Sequence, residues 1–209
     1  FKELFPAQSH KVEADYQLTR AEKKWIARHK DIRVAFDGSL PPYSFVNDQD
    51  KIDGIAVEII SLLGQRLGID VSIHTDSDWD KLYRSAAKRK FDMVATMVDR
   101  PDRNEWFSFS KPYLTKSLLI VTKQDNTAIS NRNDLADKKI AVVKGYKYGE
   151  QVDHEFPKSN RVRAETMLDS LLLVDKGQVD AAILFLGTAN YLQGFISTTL
   201  THGKTITAW

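Results

Sequence analysis

Residues 99–114, DRPDRNEWFSFSKPYL, set two arginines beside four aromatic side chains and close on a Ser-Lys-Pro-Tyr turn. A guanidinium offers a planar fork of donors that meets a carboxylate with two parallel hydrogen bonds. Three chemistries fit this composition: a grip on nucleic acid, the wall of a small-molecule cleft, or a plain surface edge over a core. In the plainest case Arg100 and Arg103 are solvated and pair with Asp99, Asp102 or Glu105, as surface arginines commonly do. Further candidates lie upstream. Asp37 follows an apolar run, Tyr43 and Phe45 follow a double proline in a loop, Trp79 opens a helix, and Thr96 ends a second apolar run.

The charge balance weighs against nucleic acid. Thirty Lys and Arg face 28 Asp and Glu, a net charge of +2 with the signs mixed along the chain, whereas nucleic-acid binders usually show a clustered basic face. No nucleic-acid partner is expected. The absence of cysteine excludes disulfides and thiolate metal sites. His10, His29, His74, His154 and His202 are scattered without zinc spacing, so no metal and no cofactor is expected. Gly203-Lys204-Thr205 lacks the upstream glycine of a phosphate loop, that place being Thr198. No G-x-S-x-G elbow is present. With 42% hydrophobic and 28% charged residues, 209 residues suffice for one large domain or two small lobes. No apolar run approaches the length of a membrane span, and a targeting segment, for an exported domain, is expected outside these residues.

The elements that must position these side chains alternate in type. Residues 1–17 show no sustained period and read as a lead-in. Thr19 and Glu22 then have capping-box spacing ahead of a helix whose apolar side is Trp25 and Ile26. IRVAF reads as a buried strand stopped by Asp37-Gly38. Ile55, Ile59, Leu62, Leu63 and Leu67 recur at helical spacing up to Gly68. VSI is a short strand, Asp78 caps the next helix, and FDMVATM reads as another buried strand. The second half repeats the layout: strand KIAVV, a turn from Gly145 to Gly149, a helix from Glu150 to Glu155, strand RVRA, a helix capped by Thr166, and strand VDAAILF. SLLIVTK at 117–123 would cross between the halves. Alternating strands and helices predict parallel α/β sheets, one per half, with ligands collecting in the cleft at the strands' carboxyl ends. Trp25 and Trp106 are expected in the core, and Phe109 with them.

Taken together, IRVAFDGSLPPYSF, GIAVEIISLLGQRLGI, WDKLYRSAAKRKFDMVATMVDRPDRNEWFSFSKPYL and DLADKKIAVVKGY resemble the bacterial extracellular solute-binding proteins of family 3, over about residues 18–195. Their most specific element is an arginine six residues before Phe-Ser-x-Pro-Tyr, here Arg103. The resemblance implies a two-lobed Venus-flytrap fold of the type 2 periplasmic-binding class, with lobe 1 at 18–120, lobe 2 at 121–195 and the start of a return crossing at 196–209. That crossing would be left incomplete at the C-terminus. The lead-in helix resembles the periplasmic flytrap domains of sensor histidine kinases.

By that resemblance Arg103 grips a ligand carboxylate, yet other family positions depart from the α-amino acid pattern. Thr96 fits a hydroxyl position, but its companion is Val98. Where the second lobe supplies a small hydroxyl residue, the chain has GYKYGE, with Tyr148. The aspartate for a ligand ammonium is replaced by Phe185. A buried ammonium needs a carboxylate partner, so the usual amino-acid site is in doubt. The expected function is the periplasmic sensor domain of an inner-membrane two-component kinase, tethered through segments absent here and dimeric through the parent receptor. It would bind a small, anionic or amino-acid-like solute and signal by lobe closure. A transport-type binding protein and a cyclic-acid dehydratase on the same fold are the alternatives. The domain itself is expected to be no enzyme.

Overall fold

The computed structural model describes residues 17–193 and 200–202. The lead-in at residues 1–16 and the tail at 196–199 and 203–209 lie outside the described residues.

Thr19 caps α1 (Arg20–Arg28) with the reciprocal bonds its spacing implies: the Glu22 amide donates to Thr19 Oγ1 at 3.2 Å, and the Thr19 amide donates to the Glu22 carboxylate at 2.7 Å. No residue of α1 is buried. Trp25, expected in the core, is 49% exposed and stacks on His29 one helical turn later with ring centroids 4.2 Å apart.

The chain continues through β1 (Asp31–Asp37), β2 (Ser39–Leu40), β3 (Ser44–Val46), β4 (Ile52–Asp53), α2 (Ile55–Leu67), β5 (Asp70–Asp76), α3 (Trp79–Ala87) and β6 (Met93–Val94). β1 runs between β5 and β6, parallel to both, while β2, β3 and β4 form a small antiparallel sheet that leads into α2. Val34 and Phe36 of β1 meet Ala56, Val57 and Ile60 of α2 in this lobe's core. The strand expected over FDMVATM shortens to two residues, because Thr96 takes a positive φ of 63° and turns the backbone out of the extended region.

The face that α2 buries also departs from expectation. Ala56, Val57, Ile60 and Gly64 point inward, while Ile55, Leu62 and Leu63 are 39%, 47% and 39% exposed. Gly64 explains the choice: a Cβ there would meet Val71 Cγ2 at 2.6 Å and the Ile69 carbonyl at 2.8 Å, so only the small-residue face lets the helix settle this closely on β5.

A 3₁₀ turn, Pro101–Arg103, precedes the second sheet. That sheet is built from β7 (Leu118–Lys123), β8 (Lys139–Val143), β9 (Asn160–Ala164), β10 (Ala181–Phe185) and β11 (Leu200–His202), in the order β11-β7-β10-β8-β9. β8 is parallel to its neighbours, and β7 is antiparallel to β10 and β11. Thus SLLIVTK, read as a crossing strand, lies within the second sheet. Helices α4 (Lys147–Glu155), α5 (Met167–Asp175) and α6 (Leu186–Gln193) connect the strands. Leu119, Ile140, Val142, Leu171, Ile183 and Leu184 anchor a core larger than that of the first lobe. Thr166 caps α5 through a second capping box with Asp169. α4 begins at Lys147, three residues ahead of the expected start, which sets the tyrosines beside its N-terminus. None of the described helices is long and apolar enough to cross a membrane.

Candidate ligand cleft between the two lobes

The carboxyl end of β1 carries Asp37, a carboxylate only 1% exposed. One oxygen accepts from the Ser39 amide at 2.9 Å and from Ser39 Oγ at 2.8 Å. The other accepts a short hydrogen bond from the Tyr146 hydroxyl, which arrives from the second lobe just before α4. Burial pushes the Asp37 carboxyl up, opposed by the Tyr146 and Ser39 hydrogen bonds and by the nearby charge of Lys116. Burial, together with the Asp37 charge, drives the Tyr146 phenol well above its ordinary value, so it stays protonated and donates.

Tyr146 is the hub of an aromatic group. Trp79 meets it edge-on at 6.2 Å, Tyr148 edge-on at 6.0 Å, and Phe185 lies at 6.0 Å. Lys116 Nζ sits 4.6 Å from the centroid of Phe185 and 5.3 Å from that of Tyr43. The Tyr43 hydroxyl reaches across to Gly187 at the start of α6, where a Cβ would come within 2.6 Å of it. Gly145, at φ +75°, sits against the first lobe just as closely: a Cβ there would lie 2.6 Å from Asp80 Oδ1 and 2.8 Å from Trp79 Cδ1.

Arg103 is 5% exposed at the end of its 3₁₀ turn. It donates to the Val98 carbonyl at 2.9 Å, and its guanidinium carbon lies 5.5 Å from the ring centroids of both Trp79 and Tyr83. Among the described residues it has no carboxylate partner. Burial and the neighbouring Arg100 pull its pKa down, opposed by the charges of Asp102 and Glu150, with which it makes no ion pair. Arg100 is in the opposite situation: it pairs with Asp102 at 2.7 Å and with Glu150 of the second lobe at 2.7 Å. The two arginines of the opening stretch therefore divide between a bridge joining the lobes and a buried cation with no ion pair among the described residues. Thr96 Oγ1 is likewise buried without a partner among the described residues.

The expected site residues fall into three groups. Asp37, Tyr43, Trp79 and Phe185 converge on the interlobe junction, with Arg103 joined to them through Trp79. Phe45 lies beside Tyr191 of α6 at 5.1 Å, while Val98, 40% exposed, contributes its carbonyl and not its side chain. Tyr148 turns into the second lobe's core, where its hydroxyl accepts from the Val143 amide at 3.0 Å and contacts Met167 Sδ. Tyr146 and Lys116 were not anticipated. Trp106 is 45% exposed and not core, because the chain turns at Pro101–Arg103 and carries it outward; Phe109 is only half-buried.

The model of the bacterial extracellular solute-binding proteins, family 3, matches residues 32–186. The chain belongs to this family. Its two-lobed flytrap architecture agrees with a crystal structure of the periplasmic VFT2 domain of BvgS from Bordetella pertussis. The TM-score is 0.81 at 24% identity, covering 90% of this chain and 80% of that one. In sequence it is 27% identical over 170 residues to the virulence sensor protein BvgS of Bordetella bronchiseptica, covering 81% of this chain. It is 30% identical over 150 residues to the L-cystine-binding protein TcyA of Bacillus subtilis, covering 71%. The chain spans only 14% of the sensor's length and 55% of the cystine-binding protein's.

Proposed function

We propose that this chain is the extracytoplasmic ligand-binding module of a membrane-tethered sensor kinase, with the second lobe beginning at β7. It takes a small anionic solute into the cleft and signals by lobe closure. The observation that carries the ligand's charge is Arg103, a buried guanidinium with no acid partner among the described residues. Burying a cation without compensation is costly, and a ligand carboxylate would relieve that cost. Closure follows as a population shift, since a ligand touching both lobes gains its full contacts only when they meet. The likeness to the virulence sensor BvgS supports the sensor role. Periplasmic placement accords with the extracellular family to which the chain belongs. A second reading, solute delivery to a transporter, draws on the likeness to the cystine-binding protein. Phe185 counts against it for α-amino acids.

The test is calorimetric titration of the parent, Arg103→Ala and Arg100→Ala against a panel of small carboxylic acids. Loss of the buried partner of an anion should cost about 2–5 kcal/mol, whereas Arg100, already paired with Asp102 and Glu150, should matter far less. Binding abolished by Arg100→Ala and kept by Arg103→Ala would overturn the assignment, as would a parent that binds no acid.

A further inference from the structure

We propose that Lys116 is a tethered cation that fills the cation-accepting part of the cleft, so that the site selects small acids carrying no positive group. This rests on the reading of the cleft as a ligand site.

The placement of Lys116 follows from strand register. Phe185 at the end of β10 pairs with Leu118 of β7, and the ladder continues one step further as the Leu186 amide donates to the Ser117 carbonyl at 2.8 Å. Lys116, two residues before Leu118, is then the diagonal neighbour of Phe185 on the same face, within reach of a long side chain. Its ammonium lies over Phe185 and Tyr43, 4.6 and 5.3 Å from the ring centroids. Aromatic faces attract a cation, and the electrostatic influence of Asp37 completes the surroundings. Two rings and a carboxylate are the groups that would hold a ligand ammonium. Here the chain's own ammonium occupies the two rings, within the electrostatic influence of the carboxylate.

The charges settle what a ligand may bring. Lys116 and Asp37 influence each other electrostatically, and the Asp37 carboxylate already accepts from Ser39 on one oxygen and from Tyr146 on the other, so in the parent its charge is shared. Arg103 has no ion pair among the described residues. An incoming carboxylate meets a buried guanidinium, while an incoming ammonium meets the Lys116 charge. Burial lowers the Lys116 ammonium to about 8, opposed by Asp37, which leaves it charged at neutral pH. The stem therefore delivers a cation, and not a neutral amine, to the junction.

The experiment uses methylammonium, which has no carboxylate and so does not report on Arg103. By NMR titration the parent should not bind it, Lys116→Ala should gain affinity at least tenfold over the parent, and Asp37→Asn added to Lys116→Ala should remove that gain. A folded Lys116→Ala variant no better than the parent, or a parent that itself binds methylammonium at the junction, overturns the proposal. Should Lys116→Ala fail to fold, the parent still decides. Ring currents from Phe185 and Tyr43 should move the Lys116 Cε proton resonances upfield, and Phe185→Leu should relax them. Ordinary lysine shifts at Lys116 in the parent would refute the placement. The two readings fail separately: a parent that binds acids beside a Lys116→Ala variant blind to methylammonium sinks this inference alone, and the reverse pattern sinks the anionic-ligand reading alone.

Discussion

Gly145→Ala offers a direct probe of how tightly the lobes seat, because its two costs separate by location. The first is local to the second lobe. At φ +75° an L-residue is in the left-handed region, which costs about 1–2 kcal/mol whether the lobes meet or part. The second exists only at the junction. A methyl carbon 2.6 Å from Asp80 Oδ1 and 2.8 Å from Trp79 Cδ1 is inside any relaxed contact, and overpacking of this kind costs about 1–3 kcal/mol. That second cost should shift the equilibrium between closed and open lobes by about 5- to 150-fold toward open. Gly68→Ala supplies the control. Gly68 has φ +65° but no atom within 4 Å of a built Cβ, so it carries the first cost without the second. Denaturant unfolding should register the conformational cost in both variants, while small-angle scattering should show expansion only for Gly145→Ala. Asp80→Ala, added to Gly145→Ala, should recover part of the closed population. Equal scattering from parent and Gly145→Ala, with an unfolding loss no greater than that of Gly68→Ala, would refute the tight seat.

Other outcomes follow from single interactions. Thr166→Ala should lose about 1 kcal/mol and lower the melting temperature, since the Asp169 amide would lose its 3.1 Å acceptor at the start of α5. The Arg33 hydrogen bonds hold the Asp92 carboxyl down to about 2 against an ordinary 3.8, so their contribution is present above pH 3.8 and disappears as pH falls toward 2; Asp92→Asn should show a flatter acid limb in denaturation. Lys116 gives the same direction of change in a more alkaline window, because burial works against its charged form. Its ammonium titrates near 8 when folded and near 10.5 when unfolded, so the unfolded chain holds more protons between those values. The parent's stability relative to Lys116→Met should therefore rise from pH 8 to 10.5, and a flat difference would show that the ammonium is not buried.

The local grammar was legible where chemistry is local. Thr19, Asp78 and Thr166 announce their helices through a side-chain acceptor and spacing, and the structure makes each of those caps. Gly68 ends α2 in the left-handed conformation that glycine adopts cheaply. α2 is apolar on more than one side. Spacing alone cannot choose between the stripe of Ile55, Leu62 and Leu63 and that of Ala56, Ile60 and Gly64; the close approach of β5 makes the choice, and that is a long-range fact. Which tyrosine faces the first lobe was hidden for a similar reason. With α4 starting at Lys147, Tyr146 is left at its N-cap facing the first lobe while Tyr148 turns inward, an outcome decided by one helical turn.

Lys116 was invisible for a deeper reason: its neighbours come from both lobes, from two distant stretches of chain, and only the pairing of β7 with β10 aims it at Phe185. The same long-range assembly explains how this junction can close on its own groups and still answer a ligand. Tyr146 to Asp37 and Arg100 to Glu150 join the lobes without any solute. A ligand that merely duplicated those contacts would add little, because only differential contact moves an equilibrium. What the closed junction lacks, among the described residues, is an anion for Arg103. Under the proposed function, an acid that supplies it gains most where the guanidinium is buried, and that difference is the free energy by which the ligand favours lobe closure.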